Sequence, residues 1–150
     1  MPRVCIGADH AGLPLKIEML KVLGESGCEV LDVGALRYDP LDDYPDFARS
    51  VGECVARGEA EKGILVCGSG VGAGVAANKI KGVRAAVCHD TYSARQGVEH
   101  DDMNVLCMGA RIIGVELAGD IVRAFVAATF TGEERHVRRL KKVLEIESGK

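Results

Sequence analysis

The sequence predicts an α/β protein, a three-layer α/β/α sandwich built on a five-stranded parallel sheet. Five short runs of apolar, largely β-branched residues are spaced along the chain, with segments of helical periodicity between them. Continuous apolar runs of this length, rather than alternating ones, are typical of parallel strands that are covered on both faces. Strands that alternate with helices also imply right-handed crossovers, which place the sheet between two layers of helices.

The individual elements follow from these two periodicities. The first helix is predicted to begin near Leu13, because Pro14 is tolerated in a first helical turn and apolar residues recur at helical spacing after it. Two later segments repeat that spacing. The predicted strands are Val4–Ala8, Glu29–Val33, Gly63–Cys67, Arg84–Cys88 and Asn104–Met108, and the predicted core-facing stripes are Leu13, Ile17 and Leu20, then Ala118, Ile121, Val122 and Phe125, then Val137, Leu140 and Leu144.

Length and composition restrict the class of protein. A chain of 150 residues has the usual size of one domain, so a single domain over residues 1–150 is expected. Hydrophobic residues make up 47% and charged residues 27%, which is a globular and not a disordered composition. The net charge of −3 is too balanced for nucleic-acid binding by charge alone. No apolar run approaches the ~20 residues of a membrane span, so we expect neither a nucleic-acid partner nor a membrane.

The cysteines are expected to be free thiols. No two of the six have the close spacing of a redox or zinc motif, and the amino-terminal segment does not resemble a secretory signal. Free thiols are typical of a reducing compartment, so we expect a cytoplasmic location. Five of them are predicted to be small core residues, namely Cys5, Cys28, Cys54, Cys88 and Cys107.

Polar residues and glycines gather directly after the predicted strands. Ligands of parallel α/β sheets bind beyond the carboxyl ends of the strands, so this edge is where a site is expected. Asp9 and His10 follow the first strand, and they could cap the next helix or contact a substrate. The other strand ends carry Cys67–Gly70, His89-Asp90 and Gly109–Arg111.

The turn CGSGVGAG at 67–74 is the most informative stretch. Its closely spaced glycines let backbone amides approach an anion, and a helix is predicted to follow. Residues 68–73 also match the G-x-G-x-x-A dinucleotide fingerprint, so a nicotinamide-dependent dehydrogenase is a competing interpretation. The shortness of the following helix and the position after the third strand count against it. Cys67 could be a thiolate base or nucleophile, or a buried strand cysteine.

Three other segments have both a functional and an ordinary interpretation. The irregular stretch Gly34–Tyr44 is long for a loop in a compact domain, which favours a functional loop. The basic residues of Glu133–Glu147 are balanced by glutamates, and from composition alone they form a solvated helix face. His100 lies in the stretch VEHDD, and this local sequence alone favours an ordinary histidine at the end of a surface helix.

Together these residues resemble the ribose-5-phosphate isomerase B family, which includes the galactose-6-phosphate isomerase subunits. The resemblance is collinear from end to end. It implies a Rossmann-like α/β/α sandwich that binds no nucleotide, and a homodimer or dimer of dimers whose site lies at the subunit interface. The matching stretches are GADHAG at 7–12, DYPDFA at 43–48, GILVCGSGVGAGVAANKIKGVRAAVC at 63–88, EHDDMNVLCMGARIIG at 99–114 and RHVRR at 135–139.

The resemblance implies that the protein interconverts an aldose and a ketose phosphate through a cis-enediolate, without a metal or other cofactor. Ribose 5-phosphate is the favoured substrate; a hexose 6-phosphate of the allose or galactose type, or a non-catalytic sugar-phosphate-binding subunit, is the alternative. Cys67 resembles the base and His100 the ring-opening acid/base. The implied substrate-binding residues are Asp9, His10 and Tyr44 near the sugar, Gly68, Ser69, Gly70, Val71 and Gly72 around the enediolate, Asp101 beside His100, and Arg111, Arg135 and Arg139 on the phosphate.

The sequence departs from the family pattern at three places. Ser69 stands where threonine is common, which keeps the hydroxyl. Asp101 replaces the usual asparagine, which exchanges an amide donor for a carboxylate and could alter the sugar preference. Glu133-Glu134 replace the glycines that usually precede the Arg-His pair, so the loop that carries Arg135 is expected to be one residue longer here.

Overall fold

The computed structural model describes all 150 residues and confirms the predicted fold class. Five parallel strands in the order β2-β1-β3-β5-β4 form one sheet between two helical layers. None of the helices is long and apolar enough to cross a bilayer. The elements are β1 (Arg3–Ala8), α1 (Leu13–Glu25), β2 (Glu29–Asp32), α2 (Tyr44–Ala56), β3 (Lys62–Cys67), α3 (Val71–Ala77), β4 (Ala85–Val87), α4 (Thr91–Asp101), β5 (Val105–Gly109), α5 (Val115–Ala127) and α6 (Glu134–Glu147).

The central strands are apolar on both faces, which is why the sequence shows no alternation. Ile6 and Ile64 point into a larger core that α1, α4 and α5 cover. Cys5 and Leu65, their neighbours along the strands, point into a smaller core beneath α2 and α3. Cys67 at the end of β3 also belongs to the smaller core. The direction of its side chain is therefore set by the period of two in a strand.

The edge strand β4 is shorter than the predicted Arg84–Cys88. The side-chain amide of Asn78 accepts a hydrogen bond from the Ala85 amide and donates one to its carbonyl, both at 2.8 Å. The side-chain oxygen of Asn104 accepts the Arg84 amide at 2.7 Å. These two asparagines satisfy backbone groups that a longer strand would have paired with a neighbour. β1, β2 and β3 differ from prediction by one residue at one end, and β5 is shifted by one residue at both ends.

The predicted stripe of α1 is confirmed only in part, since Leu13 is buried and Leu20 is half-buried against the larger core, whereas Ile17 is not buried. Ile17 is 47% exposed, whereas Leu15, Met19 and Leu23 are buried. Helix α1 carries more apolar residues than one face can bury, and the face with the larger combined apolar surface packs on the sheet. The stripe of α5 is confirmed, because its four residues, Ala118, Ile121, Val122 and Phe125, are fully buried.

The predicted stripe of α6 does not pack on this chain. Val137 is 46% and Leu144 is 39% exposed, and Leu140 is only half-buried. Helix α6 packs mainly against α4 and buries a single residue, His136. The expectation of a core-facing stripe is therefore wrong for the chain alone, because α6 lies at the margin of the helical layer and not over the sheet.

All six cysteines are free, and four of the five predicted core cysteines are buried. Burial raises the pKa of Cys107 to about 12 and that of Cys88 to about 11, as expected for inert structural thiols. Cys28 is the exception. It lies in the turn between α1 and β2, at one edge of the sheet, and it is only half-buried.

A buried lysine anchors the loop that follows β2. The side chain of Lys16 is 2% exposed, and its Nζ donates to Asp32 Oδ1 at 2.7 Å and to the Ala35 carbonyl at 2.6 Å. Lys16→Met keeps the aliphatic stem but leaves the Ala35 carbonyl unpaired and removes the cation from Asp32, whose Oδ1 then accepts only the Gly34 amide. We expect the free energy of unfolding to fall by about 2 kcal/mol. Urea denaturation measures this change. A variant as stable as the unaltered protein would mean that the two hydrogen bonds contribute nothing net.

Candidate active site

The strand order creates a crevice at the carboxyl edge of the sheet. From β1 the chain moves to one side to form β2, and from β3 onward it builds the other side, so the order reverses between β1 and β3. Asp9 follows β1 and Cys67 ends β3, one on each side of this point. A cavity of about 330 Å³ opens here, lined by Asp9, Tyr44, Cys67, Gly68, Ser69, Gly72, Arg111 and Ile112.

The thiol of Cys67 is held by the turn that follows it. Cys67 is 5% exposed and lines the cavity, and the Gly70 amide donates a hydrogen bond to its Sγ at 3.2 Å. Gly70 has a φ of +83°, and a Cβ there would lie 3.0 Å from the Met108 backbone. Only glycine fits such a position without strain. The turn therefore aims an N–H group at the sulfur, as a thiolate base requires.

Two large side chains lie directly on the glycine turn. The Tyr44 ring covers Gly72 so closely that a Cβ on Gly72 would be 2.5 Å from Tyr44 Cζ. The Arg111 guanidinium lies over Gly68, with its Nη1 3.5 Å from where a Cβ would be. The absence of side chains on this turn thus lets a phenol and a guanidinium reach the same cavity as the thiol.

The backbone amides of the glycine turn differ in their hydrogen-bond partners. The Gly70 amide is engaged by Cys67, and the Val71 amide donates to Ser69 Oγ at 3.2 Å. The amides of Gly68, Ser69 and Gly72 have no partner in the chain. The amides of Gly68, Ser69 and Gly72 are therefore free to donate to an anion. The two engaged amides hold the turn and the thiol in place.

Asp9 and His10 lie on the Cys67 side of the sheet. Asp9 is buried, and its Oδ1 accepts the Gly12 amide at 3.0 Å while the residue also lines the cavity. Asp9 therefore stabilises the turn before α1 and also faces the cavity. His10 is bound by Asp42 of the Gly34–Tyr44 loop, whose Oδ1 accepts the backbone N–H at 2.9 Å and Nδ1–H at 2.7 Å.

Asp9, His10 and Asp42 form the one group of side chains in the chain that could hold a metal ion. One atom each from Asp9, His10 and Asp42 lies within 4.8 Å of the others. The short hydrogen bond between Nδ1 and Oδ1 places a proton where a metal ion would have to bind both groups. The donor set therefore fits a hydrogen-bonded pair better than an ion site.

His89 holds the backbone opposite the glycine turn. Its Nε2 accepts the Gly109 amide at 2.9 Å, and a Cβ on Gly109 would be 2.6 Å from the Ser69 backbone. The β5 end and the glycine turn are thus in direct backbone contact, and His89 fixes one side of that contact.

A second cluster surrounds His100. Its ring stacks on that of His136 of α6, with ring centroids 4.0 Å apart and an interplanar angle of 14°. The Gln96 side-chain nitrogen lies 3.0 Å from His100 Nδ1. Because an amide nitrogen only donates, Nδ1 accepts, and Nε2 is the ring nitrogen left for a ligand.

The His136 ring is buried among charges of both signs. Burial lowers the pKa of His136, the neighbouring His100, Arg135 and Arg139 act in the same direction, and the carboxylate of Glu133 opposes them. Arg135 and Arg139 are themselves exposed, and Arg135 Nε donates to Glu133 at 3.2 Å. One of the glutamates that replace the family's glycines therefore holds a predicted phosphate ligand. Asp101 lies beside His100 and is also exposed.

The two clusters lie at opposite edges of the sheet. Helix α4 begins after the carboxyl end of β4 and ends before the amino end of β5. His100, near the end of α4, therefore lies at the side of the sheet where the strands begin. Cys67 lies at the carboxyl edge, separated from His100 by the length of a strand, roughly 15 Å. One chain therefore brings together all of the predicted site residues except His100, Asp101, Arg135 and Arg139, which form a separate group.

Sequence reasoning missed several residues that contact the predicted ones. Asp42 and Gln96 contact His10 and His100, and His136 stacks on His100. The spacing of four residues between Gln96 and His100 was the only local signal, since such pairs meet on one helix face. His136 lies within the RHVRR stretch, but its burial depends on the packing of α6 on α4.

Comparison with known proteins gives a consistent result. A family model described as Ribose/Galactose Isomerase matches residues 4–143. Ribose-5-phosphate isomerase B of Escherichia coli (strain K12) is 44% identical over 147 residues, which cover 98% of this chain and 97% of that protein. A D-erythrulose-4-phosphate isomerase of Pectobacterium atrosepticum is 41% identical over 135 residues, which cover 88% of this chain and 87% of that protein.

The structural comparison agrees. The crystal structure of ribose-5-phosphate isomerase B from Mycoplasma genitalium with bound ribulose-5-phosphate matches with a TM-score of 0.92 at 39% identity. The match covers 99% of this chain and 97% of that chain. The competing dehydrogenase interpretation of the glycine turn is thereby wrong, because the matched family and structure are isomerases.

Proposed function

The chain belongs to the ribose/galactose isomerase family and is a sugar-phosphate isomerase, and we propose that it interconverts ribose 5-phosphate and ribulose 5-phosphate. The observation that carries the proposal is the position of Cys67, whose thiol faces a cavity with free backbone amides, a tyrosine and an arginine. The six free thiols fit a reducing, cytoplasmic location.

Cys67 is the base in this proposal. Its thiolate removes the proton from C2 of the open-chain aldose, the electron pair forms the C1–C2 double bond, and the carbonyl oxygen becomes the oxyanion of a cis-enediolate. The thiol then returns a proton to C1, and the C2 oxygen becomes the ketose carbonyl as its hydroxyl proton moves to O1. The free amides of Ser69 and Gly72 donate to the oxyanion in both directions.

His100 opens the sugar ring from a second chain. Its Nε2 is free, but His100 lies at the edge of the sheet opposite to Cys67, so a site that contains both residues requires two copies of the chain. The exposed apolar side chains of α6, together with Val71 and Val75 of α3, at 58% and 59% exposure, offer surface for such contacts. We therefore assign the working unit as a homodimer or a dimer of dimers with shared sites.

Arg139 binds the substrate phosphate in this arrangement. Arg139→Ala removes a charge-assisted contact that is the same in the ground and transition states, so we expect KM for ribose 5-phosphate to rise about 10- to 100-fold with kcat little changed. Arg138→Ala is the matched control, because Arg138 is the adjacent exposed arginine outside the predicted set. Equal effects in the two variants, measured by steady-state kinetics, would remove Arg139 from the phosphate site.

The second candidate is an isomerase of another sugar phosphate. Asp101, which replaces the usual asparagine beside His100, is the observation that favours it, since a carboxylate cannot donate to a sugar oxygen. The relative named D-erythrulose-4-phosphate isomerase adds a tetrose phosphate to the hexose 6-phosphates as possible substrates. A non-catalytic sugar-phosphate-binding subunit is disfavoured because both Cys67 and His100 are present.

A panel of substrates tests the proposal. The purified protein alone is incubated with tetrose, pentose and hexose phosphates, and aldose–ketose conversion is followed for each. We expect the highest kcat/KM with ribose 5-phosphate. A higher value with another sugar phosphate would select the second candidate, and conversion of none would leave the binding-subunit interpretation.

A further inference from the structure

His10 and Asp42 form a pair joined by two hydrogen bonds beside the cavity. A single oxygen of Asp42 accepts both the backbone N–H and the ring Nδ1–H of His10, at 2.9 and 2.7 Å. The Asp42 side chain is only 11% exposed, and its other oxygen is buried without a hydrogen-bond partner. No other cation pairs with this carboxylate. A carboxylate buried to this extent is stable when its one partner carries a positive charge.

The charges that face His10 come from three parts of the fold. Asp9 lies at the end of β1, Asp42 and the edge-on ring of Tyr38 lie in the loop before α2, and Arg111 lies after β5. The hydrogen bond that His10 donates to Asp42 raises the pKa of His10, the charges of Asp42 and Asp9 act in the same direction, and burial and Arg111 oppose them. The net shift is upward, so His10 keeps its second proton to a higher pH than a free histidine does.

A second cation, Arg111, lies near the His10 ring, and Asp9, the residue before His10, lines the same cavity as Arg111. Because Nδ1 is occupied by Asp42, the free donor of His10 is Nε2–H, which remains protonated in the imidazolium. The Arg111 guanidinium lines the cavity and is close enough to His10 to act on it electrostatically. Two neighbouring cations repel each other unless an anion lies between them, so the pair forms a site for an anionic ligand group.

This inference rests on the proposed function: we propose that Asp42 is a positioning residue that keeps His10 as an imidazolium donor to the substrate phosphate, beside Arg111. Asp42 does not touch the substrate. It fixes the ring orientation, assigns Nδ1 to the internal hydrogen bond and leaves Nε2–H for the ligand. The Gly34–Tyr44 loop thereby contributes to substrate binding through His10 as well as through Tyr44.

The test compares Asp42→Asn with Asp43→Asn. Both variants remove one negative charge from the same loop, but Asp43 makes no side-chain cap at the start of α2. In Asp42→Asn we expect the NMR titration midpoint of the His10 ring to move to lower pH. At a pH between the two midpoints, we also expect KM for ribose 5-phosphate to rise about tenfold with kcat at saturation unchanged, because one charge-assisted contact is lost. Asp43→Asn is expected to leave both quantities unchanged.

Two results would overturn the inference. One is a His10 midpoint in the unaltered protein at or below that of a free histidine, a measurement that does not depend on any variant folding. The other is a midpoint in Asp42→Asn equal to that of the unaltered protein. Titration with inorganic phosphate separates this inference from the proposed function. A protein that isomerises no sugar phosphate but binds inorganic phosphate more weakly in Asp42→Asn than in Asp43→Asn supports the Asp42–His10 pair and refutes the isomerase proposal.

Discussion

Cys67→Ser is expected to lower kcat by about 10²–10⁴-fold with ribose 5-phosphate, while KM changes little. Serine is nearly isosteric, and the Gly70 amide that donates to Sγ at 3.2 Å can donate to the hydroxyl instead. The turn should therefore keep its conformation and the substrate its contacts. What is lost is the base, because a hydroxyl is far less acidic than a thiol and is not ionised near neutral pH.

Cys28→Ser is the control for this prediction. Cys28 is half-buried in the turn between α1 and β2 and has no part in the cavity, so its substitution should leave kcat and KM unchanged. Thermal unfolding of both variants checks that neither loses the fold. A Cys67→Ser protein that is folded and retains most of its turnover would place the base elsewhere.

Mixing two inactive variants is expected to restore about a quarter of the activity. Cys67→Ala and His100→Ala each inactivate one of the two clusters, which lie at opposite edges of the sheet in one chain. When chains exchange at random, about half of the dimers are mixed. In each mixed dimer with shared sites, one site carries both substitutions and the other carries neither. One intact site of two in half of the dimers gives the expected quarter. Activity measured on ribose 5-phosphate after exchange, above the sum of the two parents, reports the intact sites.

The control for mixing uses two lesions in the same cluster. Cys67→Ala mixed with Arg111→Ala should restore nothing, because both residues line one cavity and come from the same chain. Under the alternative of a site within one chain, the Cys67→Ala and His100→Ala mixture would also stay inactive. Exchange of chains is verified by mass spectrometry of tagged subunits, so a failure to recover activity after exchange would refute the shared site.

The architecture of the sheet could be predicted from the sequence, whereas some of its helical packing could not. Continuous apolar runs such as that ending at Cys67 indicate buried parallel strands whatever packs on them. The face that α1 buries depends on a choice between Ile17 and Leu15, which only the shape of the sheet decides. The stripe that contains Val137 is apolar at helical spacing, but no element of this chain covers it, and a sequence pattern does not distinguish a covered stripe from an exposed one.

The candidate site was predictable where topology determines it. Asp9, Cys67 and Arg111 follow strands that must end at the same edge, so their proximity requires no knowledge of loop conformation. Asp42 could not be selected over Asp39 or Asp43, because an irregular loop has no period that assigns direction to its side chains. The engagement of the Gly70 amide by the thiol likewise depends on the exact path of the turn.

The isomerisation of ribose 5-phosphate in ²H₂O tests the central claim most directly. Proton transfer by a thiol at Cys67 passes through an enediolate, and a thiol exchanges its proton with solvent. The account predicts that ribulose 5-phosphate forms only with the protein present and carries deuterium at C1, as NMR detects, and that Cys67→Ser abolishes the labelling. Ribulose 5-phosphate that carries no solvent deuterium even after repeated forward and reverse turnover would contradict it, as would the absence of any turnover.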